Sequence, residues 1–433
     1  MYRSDGALDP VPDLTGNRLE TSPSGPSPGR VVPGHAGTPR RYIPAMTGGE
    51  AALHDGPARG VAGRMAEAAN AWLGGLDVDQ RPVAAGATPA DDASDAERRR
   101  WFYTPTDHGG LTFHAQRPAQ QRAAMRLVAT GMSAAGYVTV ATIVGLENVL
   151  DHSEGFVTRF DRERGRDPGL YYLRVFGEPG ERGTWGWRFG GHHVSLNNLV
   201  ADGAVVATTP CFLGADPATS PLLGGALNRP LARVEDIARD LVRSLHPGLA
   251  SRAVLLPRAP SDLVTANRTT VTAGDRVIPL AGIWRDERFS DPVEQAKLQK
   301  QSDAIDRAAG YDDDDHEAVE YTADPRGVPA AELDAEQRGM VRALLGTYLD
   351  RVPSEVSPLR RYEDDAVLDA VCFAWAGSTV PGEPHYYRLQ APRLLLEWDN
   401  TQRMANHAHS VWRDPGSDFG LDVLARHRAS SQH

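Results

Sequence analysis

The chain has 433 residues, 41% hydrophobic and 24% charged, with a formal net charge of −11. This is a globular balance, and an acidic chain with no Lys/Arg cluster interleaved with aromatics excludes nucleic acid as an expected partner. Two cysteines, Cys211 and Cys372, are too few for a disulfide scaffold or a four-thiolate zinc site, and two reduced thiols in a cytoplasm are the simpler reading.

Residues 1–60 are rich in Pro, Gly, Ser and Arg, lack periodicity and start without a basic then apolar leader. They read as a disordered tail with no secretory signal. Residues 61–433 read as one α+β domain of catalytic size. A first helix is expected over 61–78, ending at Gly74-Gly75. Met125, Leu127, Val128 and Met132 space a second helix over 116–135, and another is expected over 138–150. The stretch 136–150 is the longest apolar run, but its threonines and Glu147 make it too short and too polar to span a bilayer.

The pattern changes at Leu170. "LYYLRVFGE" reads as a strand, and "TWGWRFGGHHVSLNNLVADGAVVATTP" as a hairpin or meander turning at Ala201-Asp202-Gly203. Helices are expected over 233–247, 294–309 and 330–351, with "YDDDDHEAVEY" as an acidic loop. The end returns to strands: "AVCFAWAG", "PHYYRLQ", "RLLLEWDN" and "HAHSVWR". Helices and strands come in blocks, which favours a mainly antiparallel sheet flanked by helices, with a helical N-terminal part. No repeat of solenoid type is visible.

Several chemistries lack their motif. There is no G-x-S-x-G, no G-x-G-x-x-G and no Walker loop. "HEAVE" at 316–320 resembles the H-E-x-x-H zinc motif but has no second histidine.

What is present is a set of histidines on predicted strands. Residues i and i+2 of a strand share a face about 6.5–7 Å apart, so His407 and His409 project together, while Ala408, Ser410 and Trp412 take the other side. In "WGWRFGGHHVSLN", His193, Ser195 and Asn197 form a polar face and His192, Val194 and Leu196 an apolar one. His193 is therefore preferred over His192 as a ligand. Glu397 and Asp399 share a face opposite Leu394, Leu396 and Trp398, where they would support a histidine ligand or serve catalysis. His385 and Tyr387 share a face, with Tyr386 and Arg388 opposite. A tyrosine such as Tyr387 would be a proton donor, and Arg388 would hold a substrate carboxylate. The bland alternatives are polar strand edges, salt bridges and histidines capping strand ends.

The segments "WRFGGHHVSLN", "TPCFLGADP", "HYYRLQAPRLLLEWDN" and "NHAHSVWRDPGSDFGLDVLARH" resemble the signatures of a bacterial and fungal family catalogued as domain of unknown function 3500. The resemblance runs from roughly Ala66 to His427. Its pattern includes His192, His193, His385, Glu397, Asp399, Asn400, His407, His409 and Arg413, with Trp398 where a tyrosine is expected. It implies one shared site and names no activity.

The leading expectation is a metal-dependent oxidoreductase acting on a small molecule. Its transition metal, copper, iron or zinc, would be held by histidines from the set His192, His193, His385, His407 and His409. Tyr387, Arg388, Glu397 and Asp399 are the candidate catalytic residues. A zinc hydrolase using Glu397 or Asp399 as general base is the second expectation. A non-enzymatic protein holding an acidic metabolite with Arg188, Arg388 and Arg413 is the third. The oligomeric state stays open.

Overall fold

The computed structural model of the chain describes residues 55–157, 163–283 and 292–430. Most of the expected tail lies outside these residues. Helix α1 (Asp55–Gly74) starts earlier than residue 61, because Pro57 falls in its first turn, where a missing N–H is tolerated. It is followed by α2 (Pro118–Thr130) and α3 (Ala134–Ser153). Ser133 separates these two by accepting from Gly136 N as an N-cap.

Strands β1 (Tyr172–Phe176), β2 (Thr184–Gly191), β3 (Val194–Ala201) and β4 (Cys211–Ala215) form the first meander. Next come α4 (Ala232–Ser244), α5 (Pro292–Ala309), α6 (Asp313–Val319) and α7 (Ala335–Leu349). Helix α6 corrects the expectation of an acidic loop. Asp312 and Asp315 close a capping box, and the remaining aspartates sit in the first turn, where the helix dipole favours them. The second meander is β5 (Cys372–Gly377), β6 (His385–Ala391), β7 (Leu394–Gln402) and β8 (His407–Arg413). Among the described residues, no helix is long and apolar enough to cross a membrane.

The two meanders join into one 13-stranded sheet, whose central order is β1-β2-β3-β4-β8-β7-β6-β5. All central pairs are antiparallel. Parallel edge strands, Ala85–Gly86 and Val254–Leu256, pair with β1 and β5. The halves repeat one plan. Residues whose numbers differ by 200 hold the same ladder position: Phe176 faces Gly186 as Ala376 faces Tyr386, and Gly191 faces Val194 as Ala391 faces Leu394. The helices match too. Gln120 in the first turn of α2 donates to Gly75 O beyond the end of α1, as Gln337 in α7 donates to Ser244 O at the end of α4.

Alternation along the strands sorts the two faces. Trp187, Phe189, Val194, Leu196, Leu213, Tyr387, Leu389, Leu396, Trp398 and Trp412 pack in one core with apolar residues of α1, α2, α3, α4 and α7. A large aliphatic or aromatic side chain buried this way contributes about 1.5–3 kcal/mol. The opposite face carries Arg188, Asn197, Glu397, Asp399, His409 and Arg413, all buried. It is covered by connecting segments instead of long helices, through contacts such as Trp101, Tyr103, Leu263 and Phe419 on Phe212 and Val411. A polar sheet face closed under loops is where the candidate site lies.

Candidate metal centre

β8 places His407 and His409 on the polar face, and its partner β4 lies at the middle of the sheet. His193 arrives from the other half. It is not in a strand, as the sequence pattern suggested, but is the second residue of the two-residue turn between β2 and β3, with φ 65°. The turn is held in place by backbone bonds: His193 N donates to Tyr103 O at 3.0 Å, and Gly214 N to His193 O at 2.8 Å. Gly214 also makes room for the ring, because a Cβ there would lie 2.7 Å from His193 Cδ2.

The three rings meet at their Nε2 atoms. His193 is 2.8 Å from His407, His407 is 3.1 Å from His409, and His193 is 3.3 Å from His409. The far side of His409 donates from Nδ1 to Asp262 Oδ1 at 2.8 Å. That proton assignment leaves a lone pair on Nε2. His407 Nδ1 lies 3.6 Å from Asp216 Oδ2. Burial, followed by the neighbouring histidines, holds the His193 and His407 pKa values well below the usual range. Three Nε2 atoms facing one another in a triangle, two of them on imidazoles held neutral, cannot all be satisfied by shared protons. They match what a cation wants: nitrogens bound at about 2.0–2.1 Å around a tetrahedral ion stand roughly 3.3 Å apart.

His192 adjoins the cluster without joining the triangle. Its ring lies 3.8 Å from that of His193, and its Nδ1 bonds Glu147 Oε1 at 2.5 Å. A ring nitrogen of His192 still lies within 4.8 Å of one on His193 and one on His407. Asp399 stands behind His409, its Oδ2 3.9 Å from Nδ1. Burial, and then the charge of Asp262, push the Asp399 pKa well up.

The other expected site residues are placed elsewhere or engaged. His385 and Tyr387 lie on the apolar face, away from the histidine cluster, so the structure does not bring the expected ligand His385 or the expected catalytic Tyr387 to it. His385 Nδ1 faces Glu383 O at 2.9 Å, its Nε2 accepts from Trp398 Nε1 at 3.0 Å, and its ring stacks on Trp375. Burial lowers its pKa to about 4. The Tyr387 hydroxyl donates to Val234 O and shares a bond with Tyr348. Glu397 and Arg388 are on the polar face, but Glu397 accepts from Val264 N, Thr265 and Tyr386. Arg388 Nη1 donates to the Val319 and Glu320 carbonyls.

Four residues at the site escaped the sequence reading. Asp262, Asp216 and Tyr103 come from loops without periodic signal, and Tyr103 donates its hydroxyl to Asp262 Oδ2 at 3.0 Å. Glu147 did leave a trace, as the one carboxylate amid the apolar run 136–150.

Fold and site define an antiparallel α+β protein with a buried three-histidine cluster at the seam of its two halves. The sequence profile described as Protein of unknown function (DUF3500) matches residues 59–421, and the chain belongs to this family. No curated protein and no solved structure matches it.

Proposed function

We propose that the protein is a metalloenzyme, an oxidoreductase acting on a small molecule, with a transition metal held by His193, His407 and His409. The observation that carries this is the convergence of three Nε2 atoms at 2.8–3.3 Å. All-nitrogen ligation suits copper, iron or zinc. Such an ion supplies Lewis acidity or, for copper and iron, one-electron chemistry. The protein's part is to fix the rings. Asp262 holds the His409 tautomer, Gly214 leaves space for His193, and three protein ligands leave a position for substrate.

Two features favour redox chemistry over hydrolysis. An aromatic group of Tyr103, Phe212 and Trp101 adjoins His409, with Tyr103 at 5.1 Å and Phe212 at 5.6 Å between ring centroids. The hydrolase reading loses one of its two candidate bases, since Glu397 is occupied by four donor groups, two from Thr265, and it is left with Asp399 alone. The binding-protein reading is the weakest, since Arg188 and Arg413 are spent on backbone carbonyls and on Glu97 and Asp418.

The test is elemental analysis of tag-free protein, followed by EPR and visible spectra. Copper or iron with a signal that changes on reduction supports the oxidoreductase. Zinc alone, with hydrolytic turnover, would replace it with the hydrolase. Protein that retains no copper, iron or zinc after reconstitution and desalting overturns the metal site itself.

A further inference from the structure

His409 faces acceptors on both sides of its ring. Nε2 points at His193 and His407, and Nδ1 at two carboxylates: Asp262 Oδ1 at 2.8 Å and Asp399 Oδ2 at 3.9 Å. One ligand atom from each of Asp262, Asp399 and His409 lies within 4.8 Å of the others, and all three residues are buried. A pair of buried carboxylates repel each other and need a compensating positive charge. Among the described residues, neither has an Arg or Lys within ion-pair distance, and His409 is the only basic partner of either.

Their hydrogen bonding is also unequal. Asp262 accepts from Tyr103 O–H, from Leu263 N and from His409. Asp399 accepts only from Thr401, from its backbone and from its Oγ1 at 3.3 Å, and its Oδ1 has no hydrogen-bond partner although the residue is fully buried. A buried carboxylate oxygen left bare is costly unless something binds it.

We propose a second cation site at Asp262, Asp399 and His409 Nδ1, so that His409 bridges two metal ions. This rests on the three-histidine reading for the first ion. Two oxygens and one nitrogen suit a divalent first-row transition ion harder than the one bound by nitrogen alone. As the second ion binds, the Nδ1 proton now shared with Asp262 leaves to solvent, the usual exchange of a proton for a metal at a ligand. The ion takes the position between the carboxylates and supplies the charge that the protein does not. The phenol of Tyr103 sits at its edge through Asp262.

The experiment is metal stoichiometry on tag-free full-length protein, stripped with chelator, reloaded with zinc chloride and desalted. The wild type is expected to hold about two zinc ions per chain, with His407→Ala and Asp399→Asn each holding about one. Circular dichroism checks that each variant is folded, and the wild-type count needs no variant. A wild type holding one zinc, lost in His407→Ala, overturns the second site and leaves the first standing. Two zinc ions persisting in folded Asp399→Asn also overturn it. No zinc in the wild type overturns the second site, and reloading with copper and iron then decides the three-histidine site.

Discussion

The two meanders share a ladder register but not a chemistry. In the first half the β2–β3 turn carries His192-His193, while the matching β6–β7 turn carries Pro392-Arg393. In the second half the last strand carries His407 and His409, while β4 opposes that strand with Phe212 and with Gly214, which faces His409. Neither half holds the three-histidine cluster alone. The three rings meet because β4 and β8 are neighbours at the centre of the sheet, bringing the turn of one half over the last strand of the other. The comparison teaches that a repeated frame can host one asymmetric centre at its seam. It also argues against dividing the domain between the meanders. Where the halves do agree, the reason is structural. Arg188 and Arg388 occupy matching positions, and both cap backbone carbonyls of the covering segments.

The largest expected effect tests the seam. His193→Ala from one half and His407→Ala or His409→Ala from the other should each remove the three-histidine ion, with far-UV circular dichroism unchanged. Retention in His193→Ala alone would make His192, from the same turn, the first half's ligand.

Next come the paired arginines. Arg188 donates to the carbonyls of Glu97, Arg100, His108 and Gly109 and to the Glu97 carboxylate. Arg388 donates to two carbonyls and leaves Nε and Nη2 without partners. Arg188→Met should therefore cost about 3–5 kcal/mol in urea unfolding, and Arg388→Met roughly 1–3 kcal/mol. Equal costs would mean that the carbonyl count does not govern this position.

His385 matches Trp185 in the first half and is buried neutral. The unfolded chain takes up its proton near the ordinary histidine value of about 6.5, and the folded chain only near 4. Stability from this residue is thus complete above pH 6.5 and lost as pH falls toward 4, by about 3 kcal/mol. Replacing His385 with Gln should remove this share of the stability–pH slope and leave that of His193 and His407, whose pKa values are lowered in the same direction. An unchanged slope in the variant places the titration elsewhere.

Gly214→Ala puts a Cβ 2.7 Å from His193 Cδ2 and 2.8 Å from Ala408 O. Displacing one ligand while keeping all three should weaken metal binding about 10–100-fold, measured by chelator competition. The smallest effect is expected at Arg393, the turn position matching His193. Its ion pair with Asp414 is half exposed, so Arg393→Ala should shift stability by at most about 1 kcal/mol and leave metal content alone.

Period-two alternation was enough to place His407 beside His409, Glu397 beside Asp399, and His385 away from Arg388, because side-chain direction in a strand is a local property. The blocks of helix and strand were legible for the same reason, as was the antiparallel α+β class. Membership of the family was legible from long contiguous motifs. The sequence did not show which strands are neighbours, because pairing β4 with β8 joins residues about two hundred positions apart. Without that pairing His385 stayed in the candidate ligand set, although β6 turns it toward the tryptophans of the core. The turn at His192-His193 read as strand, since the glycines before it suggested a bulge and nothing local marked a hairpin. Asp262, Asp216 and Tyr103 reach the site from irregular segments, whose course is set by what they cover. The sequence by itself determined the local geometry of the candidate ligands that lie in strands and the class of the fold. The pattern already preferred His407 and His409 joined by His193, but only the tertiary structure brought the three rings together and set carboxylates behind them, because convergence on one point depends on long-range strand order, which no local period encodes.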